Sequence, residues 1–109
     1  MAITEITPDY SVSPQIALDE VAEIKARGFR SIMCNRPDGE SPDQTSAAEM
    51  RAEAERLGLA YAFVPVVSGQ IGAEDVADFH AALEALPKPV LAYCRSGTRS
   101  QNLWFLSER

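Results

Sequence analysis

The chain has 109 residues, 46% hydrophobic and 24% charged, with a formal net charge of −6. That length suits residues 1–109 as a single domain with one core, and the acidic balance argues against general binding to nucleic acid or to an anionic membrane. No apolar run reaches the length of a membrane span, residues 1–6 have neither the basic start nor the apolar core of a signal peptide, and two cysteines make no disulfide framework; the expected location is cytoplasmic, with both thiols reduced.

Residues 3–6 and 10–13 are short β-favouring pieces around the turn signal Thr7-Pro8-Asp9, which predicts a hairpin or a bent strand. From 14 to 27, Ile16, Leu18, Val21, Ala22 and Ile24 recur at a mostly helical spacing, with Ser13 and Pro14 placed as cap and first-turn residue and Gly28 as terminator. Residues 29–35 contain the unbroken apolar run Ile32-Met33-Cys34, as in a parallel strand covered on both faces, and Cys34 reads as core. The run stops at Asn35-Arg36-Pro37-Asp38-Gly39-Glu40, at a strand's carboxyl end, where open α/β sheets place ligand crevices. A plain solvated turn fits that composition equally well.

Ser41-Pro42-Asp43-Gln44 and Ser46-Ala47-Ala48-Glu49 both read as capping boxes, so a second helix starts at one of them and runs to Leu57 before Gly58, with Ala47, Met50, Ala54 and Leu57 facing inward. Residues 59–67 form a strand rich in β-branched and aromatic residues, interrupted by Pro65 near its end. Ser68-Gly69-Gln70-Ile71-Gly72 is then another crevice-side loop. A third helix over 73–86 has Glu74 and Asp75 in its first turn, an apolar stripe of Val76, Phe79, Leu83 and Leu86, and Pro87 as its stop. His80, the single histidine, flanks that stripe and suits the helix surface. Pro89 leads into a strand over 90–93 that delivers Cys94, and a fourth helix opens around Thr98 and carries Leu103, Trp104 and Leu106. This order predicts an α/β domain: a mostly parallel central sheet of four to five strands flanked by helices, with the cysteine loop between the last strand and the last helix.

The stretch Tyr93-Cys94-Arg95-Ser96-Gly97-Thr98-Arg99-Ser100 holds the chemistry. In such a loop successive backbone N–H groups can turn inward as an anion-binding nest, and the helix that follows adds the positive end of its dipole. Thiolate is the nucleophilic form of cysteine and is favoured beside helix N-termini and guanidinium groups, so Cys94 reads as a reactive thiol and Arg99 as the residue that holds the anion. Gly97 lets the backbone turn or approach a ligand, and Ser96, Thr98 and Ser100 offer hydroxyl donors. Arg95 and Arg99 form a basic island in an acidic chain, suited to a small anion. A buried structural cysteine is the competing reading. One histidine and two separated cysteines make no zinc spacing, so neither a metal nor a cofactor is expected, and whether Cys34 pairs with Cys94 stays open.

These residues carry a family resemblance. Ile3-Thr4-Glu5-Ile6 through Tyr10-Ser11-Val12-Ser13, together with Ser31-Ile32-Met33-Cys34-Asn35-Arg36-Pro37, resembles the start of dual-specificity protein phosphatases. Asn35-Arg36-Pro37-Asp38-Gly39-Glu40, Pro65-Val66 and Cys94-Arg95-Ser96-Gly97-Thr98-Arg99-Ser100 resemble the phosphatase-like domain found alone or fused to metallo-β-lactamase-type hydrolases, the beta-lactamase-hydrolase-like family. The likeness covers nearly the whole chain. It implies a cysteine-phosphatase-like fold, Cys94 as nucleophile, Arg99 as anion-binding arginine, and a fused or separate metallo-β-lactamase-type dioxygenase or hydrolase as partner.

Two features depart from tyrosine phosphatases. Those enzymes place five residues between cysteine and arginine, and here four intervene. Their relatives carry a proton-donating aspartate on the loop occupied here by Ser68-Gly69-Gln70; Asp75 falls inside a helix, so Asp38 or Glu40 on the facing loop would have to substitute, with Arg36 at the rim. The Cys-x4-Arg spacing instead resembles rhodanese-like sulfurtransferases, whose thiolate takes up a sulfane sulfur as a persulfide and passes it to cyanide, sulfite or a thiol. Sulfite leaves without being protonated. The resulting expectation is a sulfurtransferase with a persulfide on Cys94, thiosulfate or a persulfide as donor, backbone groups of residues 95–99 cradling the anion, Arg99 and Arg95 binding the donor's oxyanion, and Ser100 bonding the sulfur or bracing the loop. Hydrolysis of a phosphate ester through a cysteinyl-phosphate, and a catalytically dead anion- or partner-binding module, are the alternatives.

Overall fold

In the computed structural model, which describes residues 1–108, β1 (Thr4–Thr7) and β2 (Tyr10–Ser13) form an antiparallel hairpin, and β3 (Ser31–Cys34), β4 (Ala60–Phe63) and β5 (Val90–Tyr93) run parallel to β2. The sheet order is β1-β2-β5-β3-β4, which puts the last strand at the centre. Four helices cover it: α1 (Val21–Ala26), led in by a 3-10 turn at Leu18–Glu20, α2 (Ala47–Arg56), α3 (Ala73–Ala85) and α4 (Thr98–Ser107). The expected α/β architecture with a mostly parallel sheet is therefore the one observed.

Alternation along the central strand divides the core into two layers. Leu91 and Tyr93 of β5 pack with Ile32 of β3, Val21 and Ile24 of α1 and Met50 and Ala54 of α2. Val90 and Ala92 face the other way, against Met33, Phe79 of α3 and Leu103 of α4. All four β5 residues are at most 1% exposed, which is why that strand reads as an unbroken apolar run. Among the described residues, no helix is long and apolar enough to cross a membrane.

Several element limits differ from the sequence expectation. The first helix begins at Leu18, not at Pro14: residues 14–16 continue away from β2 toward the cysteine loop, where the Gln15 amide donates to the Arg95 carbonyl at 3.2 Å, and the Glu20 carboxylate instead accepts from the Ala17 amide at 2.7 Å to start the helical turn. Of the two candidate caps for α2, Ser46 is the one used, with its Oγ accepting from the Glu49 amide at 3.2 Å. The strand expected over 59–67 is regular only from Ala60 to Phe63. Beyond it the chain stays alongside β3 through single bonds on either side of Pro65, from the Val64 amide to the Cys34 carbonyl and from the Val66 amide to the Asn35 carbonyl. The third helix ends at Ala85, one residue short of the expected Leu86, and Lys88 Nζ donates to the carbonyls of Leu83 and Leu86 there, a cation at the negative end of the dipole.

Candidate active site

The carboxyl ends of the four parallel strands converge, and main-chain bonds continue past the strands to hold the loops together. The Asn35 amide donates to the Tyr93 carbonyl at 2.8 Å, which ties the loop after β3 to the residue before Cys94. Gln15, just after β2, reaches Arg95 as described, and Val66, after β4, reaches Asn35. The expected crevice loops are thus brought together around the cysteine loop.

Cys94 is fully buried: its loop lines the cleft while the sulfur lies inside. The Gly97 amide turns back and donates to Cys94 Sγ at 3.1 Å. Gly97 is required here twice over. Its φ of +92° is in the left-handed region, and a Cβ would stand 3.3 Å from the main-chain carbon and oxygen of Ser13. Ser96 and Thr98 are exposed and bonded to each other, Oγ to Oγ1 at 3.1 Å.

Arg99 leaves the first turn of α4 with its side chain 8% exposed. Its Nη1 donates to Glu40 Oε2 at 2.7 Å and to the Val66 carbonyl at 2.9 Å, and its Nη2 donates to Glu40 Oε1 at 2.8 Å. A guanidinium has five N–H donors in a fixed fork. Three are used, leaving Nε–H and one Nη2–H as a free edge, geometry that suits an oxyanion. Glu40 first, and the Cys94 sulfur after it, stabilise the charged guanidinium against its own burial.

Glu40 joins two arginines. Arg36, expected at the rim, is instead only 4% exposed: its Nε donates to Glu40 Oε1 at 2.9 Å, its Nη1 to Gln15 Oε1 at 3.1 Å and its Nη2 to Ser41 Oγ at 3.0 Å. The Arg99 guanidinium, reinforced by Arg36, holds the Glu40 carboxyl down at about 2, although burial alone pushes it up. Asp38 lies elsewhere. Its Oδ1 accepts from the Ala47 amide at 2.8 Å, so it serves the start of α2 and not the cleft. Asp75 is likewise engaged at a helix start, accepting from the Gly72 amide at 2.9 Å.

Ser100 braces the loop rather than bonding the sulfur: its Oγ donates to Asn35 Oδ1 at 2.8 Å, Asn35 Nδ2 donates to the Val64 carbonyl at 3.0 Å, and the Tyr10 hydroxyl donates to the Ser100 carbonyl at 2.8 Å. Asn35, Tyr10 and Gln15 are the site residues that sequence reasoning missed. Asn35 had a usable signal, as a polar residue at the point where a buried strand ends; for Tyr10 and Gln15, far from the loop in sequence, there was none. Cys34 donates its Sγ to the Arg36 carbonyl at 3.3 Å, packs on the Tyr93 face of the sheet, and is a free thiol, as is Cys94. Burial pushes the Cys34 thiol up. Because Cys94 follows Tyr93 directly, strand alternation points it away from the face that Cys34 shares.

Above the loop lies an open cleft of about 550 Å³, walled by Arg95, Ser96, Thr98 and Arg99 on one side and by Glu40, Ser68 and Gly69 on the other. Among the described residues, Glu40 is the one carboxylate lining it, and no group of three or more His, Cys, Asp or Glu residues is placed to hold a metal ion.

The model of the phosphatase-like domain of beta-lactamase hydrolase-like protein matches residues 2–109. Beta-lactamase hydrolase-like proteins from Xylella fastidiosa (strain Temecula1) and Agrobacterium fabrum are 42% and 32% identical over 108 residues, 99% of this chain. The chain spans about a quarter of the length of those relatives, 25% in each case. Among solved structures, a candidate phosphatase from Neisseria meningitidis superposes with a TM-score of 0.88 at 35% identity, over 95% of this chain and 74% of that one. The core catalytic domain of a PP-IP phosphatase from S. cerevisiae, in complex with citrate, shares the fold with a TM-score of 0.70 at 19% identity, over 93% of this chain and 60% of that one. With a sheet that delivers a cysteine to a loop closed by arginine, and a family match from end to end, the chain belongs to the phosphatase-like domain family of beta-lactamase hydrolase-like proteins.

Proposed function

We propose that this domain is a cysteine-dependent phosphatase-type hydrolase acting on small phosphorylated molecules. The observation that carries this reading is the Arg99 guanidinium, which keeps donors unused and whose charge the Cys94 sulfur favours, together with the Gly97 N–H that donates to that sulfur. In the proposed cycle the Cys94 thiolate attacks phosphorus, the ester P–O bond breaks, and the leaving oxygen departs with the electron pair. Water then attacks the cysteinyl-phosphate, the P–S bond breaks, and phosphate and thiolate are released. Arg99 and the loop amides face the charge that builds on the transferring group. The phosphatase-like fold of the structural relatives supports this reading over the sulfur transfer expected from the spacing alone.

The second reading is kept because two observations favour it: only four residues separate Cys94 from Arg99, and the carboxylate in the cleft is ionised. In that reading the thiolate attacks the outer sulfur of thiosulfate, the S–S bond breaks, sulfite leaves with the electron pair, and cyanide or a thiol later removes the sulfur from the Cys94 persulfide. A metallo-β-lactamase-type partner, fused or separate, belongs to the proposal as well, since the named relatives are much longer than this chain.

Parallel assays decide between the two. Purified protein and Cys94→Ser are given an aryl phosphate, and separately thiosulfate with cyanide. Cys94-dependent release of phosphate without thiocyanate supports hydrolysis. Thiocyanate without phosphate, together with the mass of one added sulfur on the thiosulfate-treated protein, overturns it in favour of sulfur transfer.

A further inference from the structure

Arg27, Arg36, Arg51, Arg56 and Arg99 each stand 2.6 to 3.9 Å from a glutamate. Arg95 has no such partner among the described residues, although it lies in the cysteine loop of a chain with net charge −6. Its exposed side chain borders two hollows, the main cleft and a polar hollow of about 390 Å³ that also touches Gln15, Glu20, Arg36 and Asp43. The structural task of the residue is carried by its main chain, whose carbonyl accepts from the Gln15 amide. The guanidinium is left over.

We infer that Arg95 recognises a second anionic group on the substrate, so that the domain takes small molecules bearing two phosphate or carboxylate groups, one at Cys94 and one beside it. The inference rests on the reading of the Cys94 loop as an oxyanion site. Charge supports it. Arg36, Arg99 and ionised Glu40 together sum to one positive charge, short of what a doubly charged phosphoryl group needs, and Arg95 is the remaining guanidinium of the cleft. Position fixes the side. Glu20 and Asp43 disfavour an anion in the smaller hollow, whereas Glu40, the carboxylate of the main cleft, is already neutralised by its two arginines. Arg95 and Arg99 line the same cleft, so a group met by Arg95 shares it with the one held by Arg99. A planar, weakly hydrated fork at a cleft edge can pair with either kind of oxyanion.

The test is calorimetric titration of wild type, Arg95→Ala and Arg95→Lys with inorganic phosphate and with methylenediphosphonate, which carries two phosphonates and resists hydrolysis. Wild type should bind the diphosphonate at least tenfold more tightly than phosphate, Arg95→Ala should lower that ratio at least fivefold, and Arg95→Lys should keep part of it. Equal affinities in wild type, or a ratio that Arg95→Ala leaves unchanged, overturn the inference. Aryl phosphate turnover by the same wild-type protein separates the two claims. Turnover with a flat ratio defeats the Arg95 assignment alone, and an Arg95-dependent ratio without turnover defeats the hydrolytic reading alone.

Discussion

Glu40 stands ionised between two buried guanidinium groups, and its charge state determines what it can do. A general acid must hold a proton at the working pH, and a carboxyl held at about 2 does not. Glu40 therefore anchors Arg99 and Arg36 and leaves one edge of the Arg99 guanidinium unused. Because its folded pKa lies below the ordinary value of about 4.3, the stability it contributes is fully present above about pH 5 and is lost as the pH falls toward 2. Glu40→Gln leaves two buried cations without their shared anion and should destabilise the fold by about 1–3 kcal/mol at neutral pH, below the cost of breaking a fully buried pair because Glu40 is partly exposed. Urea unfolding of both proteins at pH 7 and pH 3 checks the sign: the gap should narrow in acid. A gap that widened there would mean the carboxyl is protonated in the native state.

At the scale of elements, the site depends on how α3 supports β2 and α4. Phe79 of α3 is fully buried and meets Tyr10 edge to face, ring centroids 5.8 Å apart, and the Tyr10 hydroxyl holds the Ser100 carbonyl in the first turn of α4. Phe79→Ala should cost about 3–5 kcal/mol through transfer and cavity effects and, by loosening Tyr10, should also reduce Cys94-dependent turnover in the fraction that remains folded. Unfolding curves and kcat measured on one preparation separate the two effects. This linkage also explains what the sequence made legible. Unbroken runs such as Val90-Leu91-Ala92-Tyr93 announce a doubly covered strand, and the stripe containing Phe79 announces a helix, because both patterns are local. Cys94, Gly97 and Arg99 were legible for the same reason, standing within six residues of one another. Burial of Arg36 was not, since it depends on Gln15 arriving from the loop after β2, and neither was the extended path of residues 14–16, which is held by a bond to Arg95.

For the whole molecule, what matters is what the converging loops bring together and what they omit. The β2 end supplies Gln15, the β3 end Asn35, Arg36 and Glu40, the β4 end the Val66 carbonyl and the Ser68-Gly69 turn, and the β5 end Cys94 with Arg95 and Arg99. In the proposed reading these groups bind and orient an anion, but the cleft carboxylate is committed as an anion and Asp38 and Asp75 are spent on helix starts. A positioned acid ordinarily contributes about 10²–10⁴ in rate. Without one the leaving oxygen must depart as an anion, so turnover should follow the acidity of the leaving group. Aryl phosphates made from acidic phenols should be cleaved at least about a hundredfold faster than alkyl phosphates, and in Glu40→Gln the two rates should fall together, leaving their ratio unchanged. Measuring kcat/KM across a series of phenyl phosphates graded by phenol pKa provides the slope. A flat series in wild type that turns steep in Glu40→Gln would identify Glu40 as the proton donor after all and would require it to leave Arg99 during the reaction.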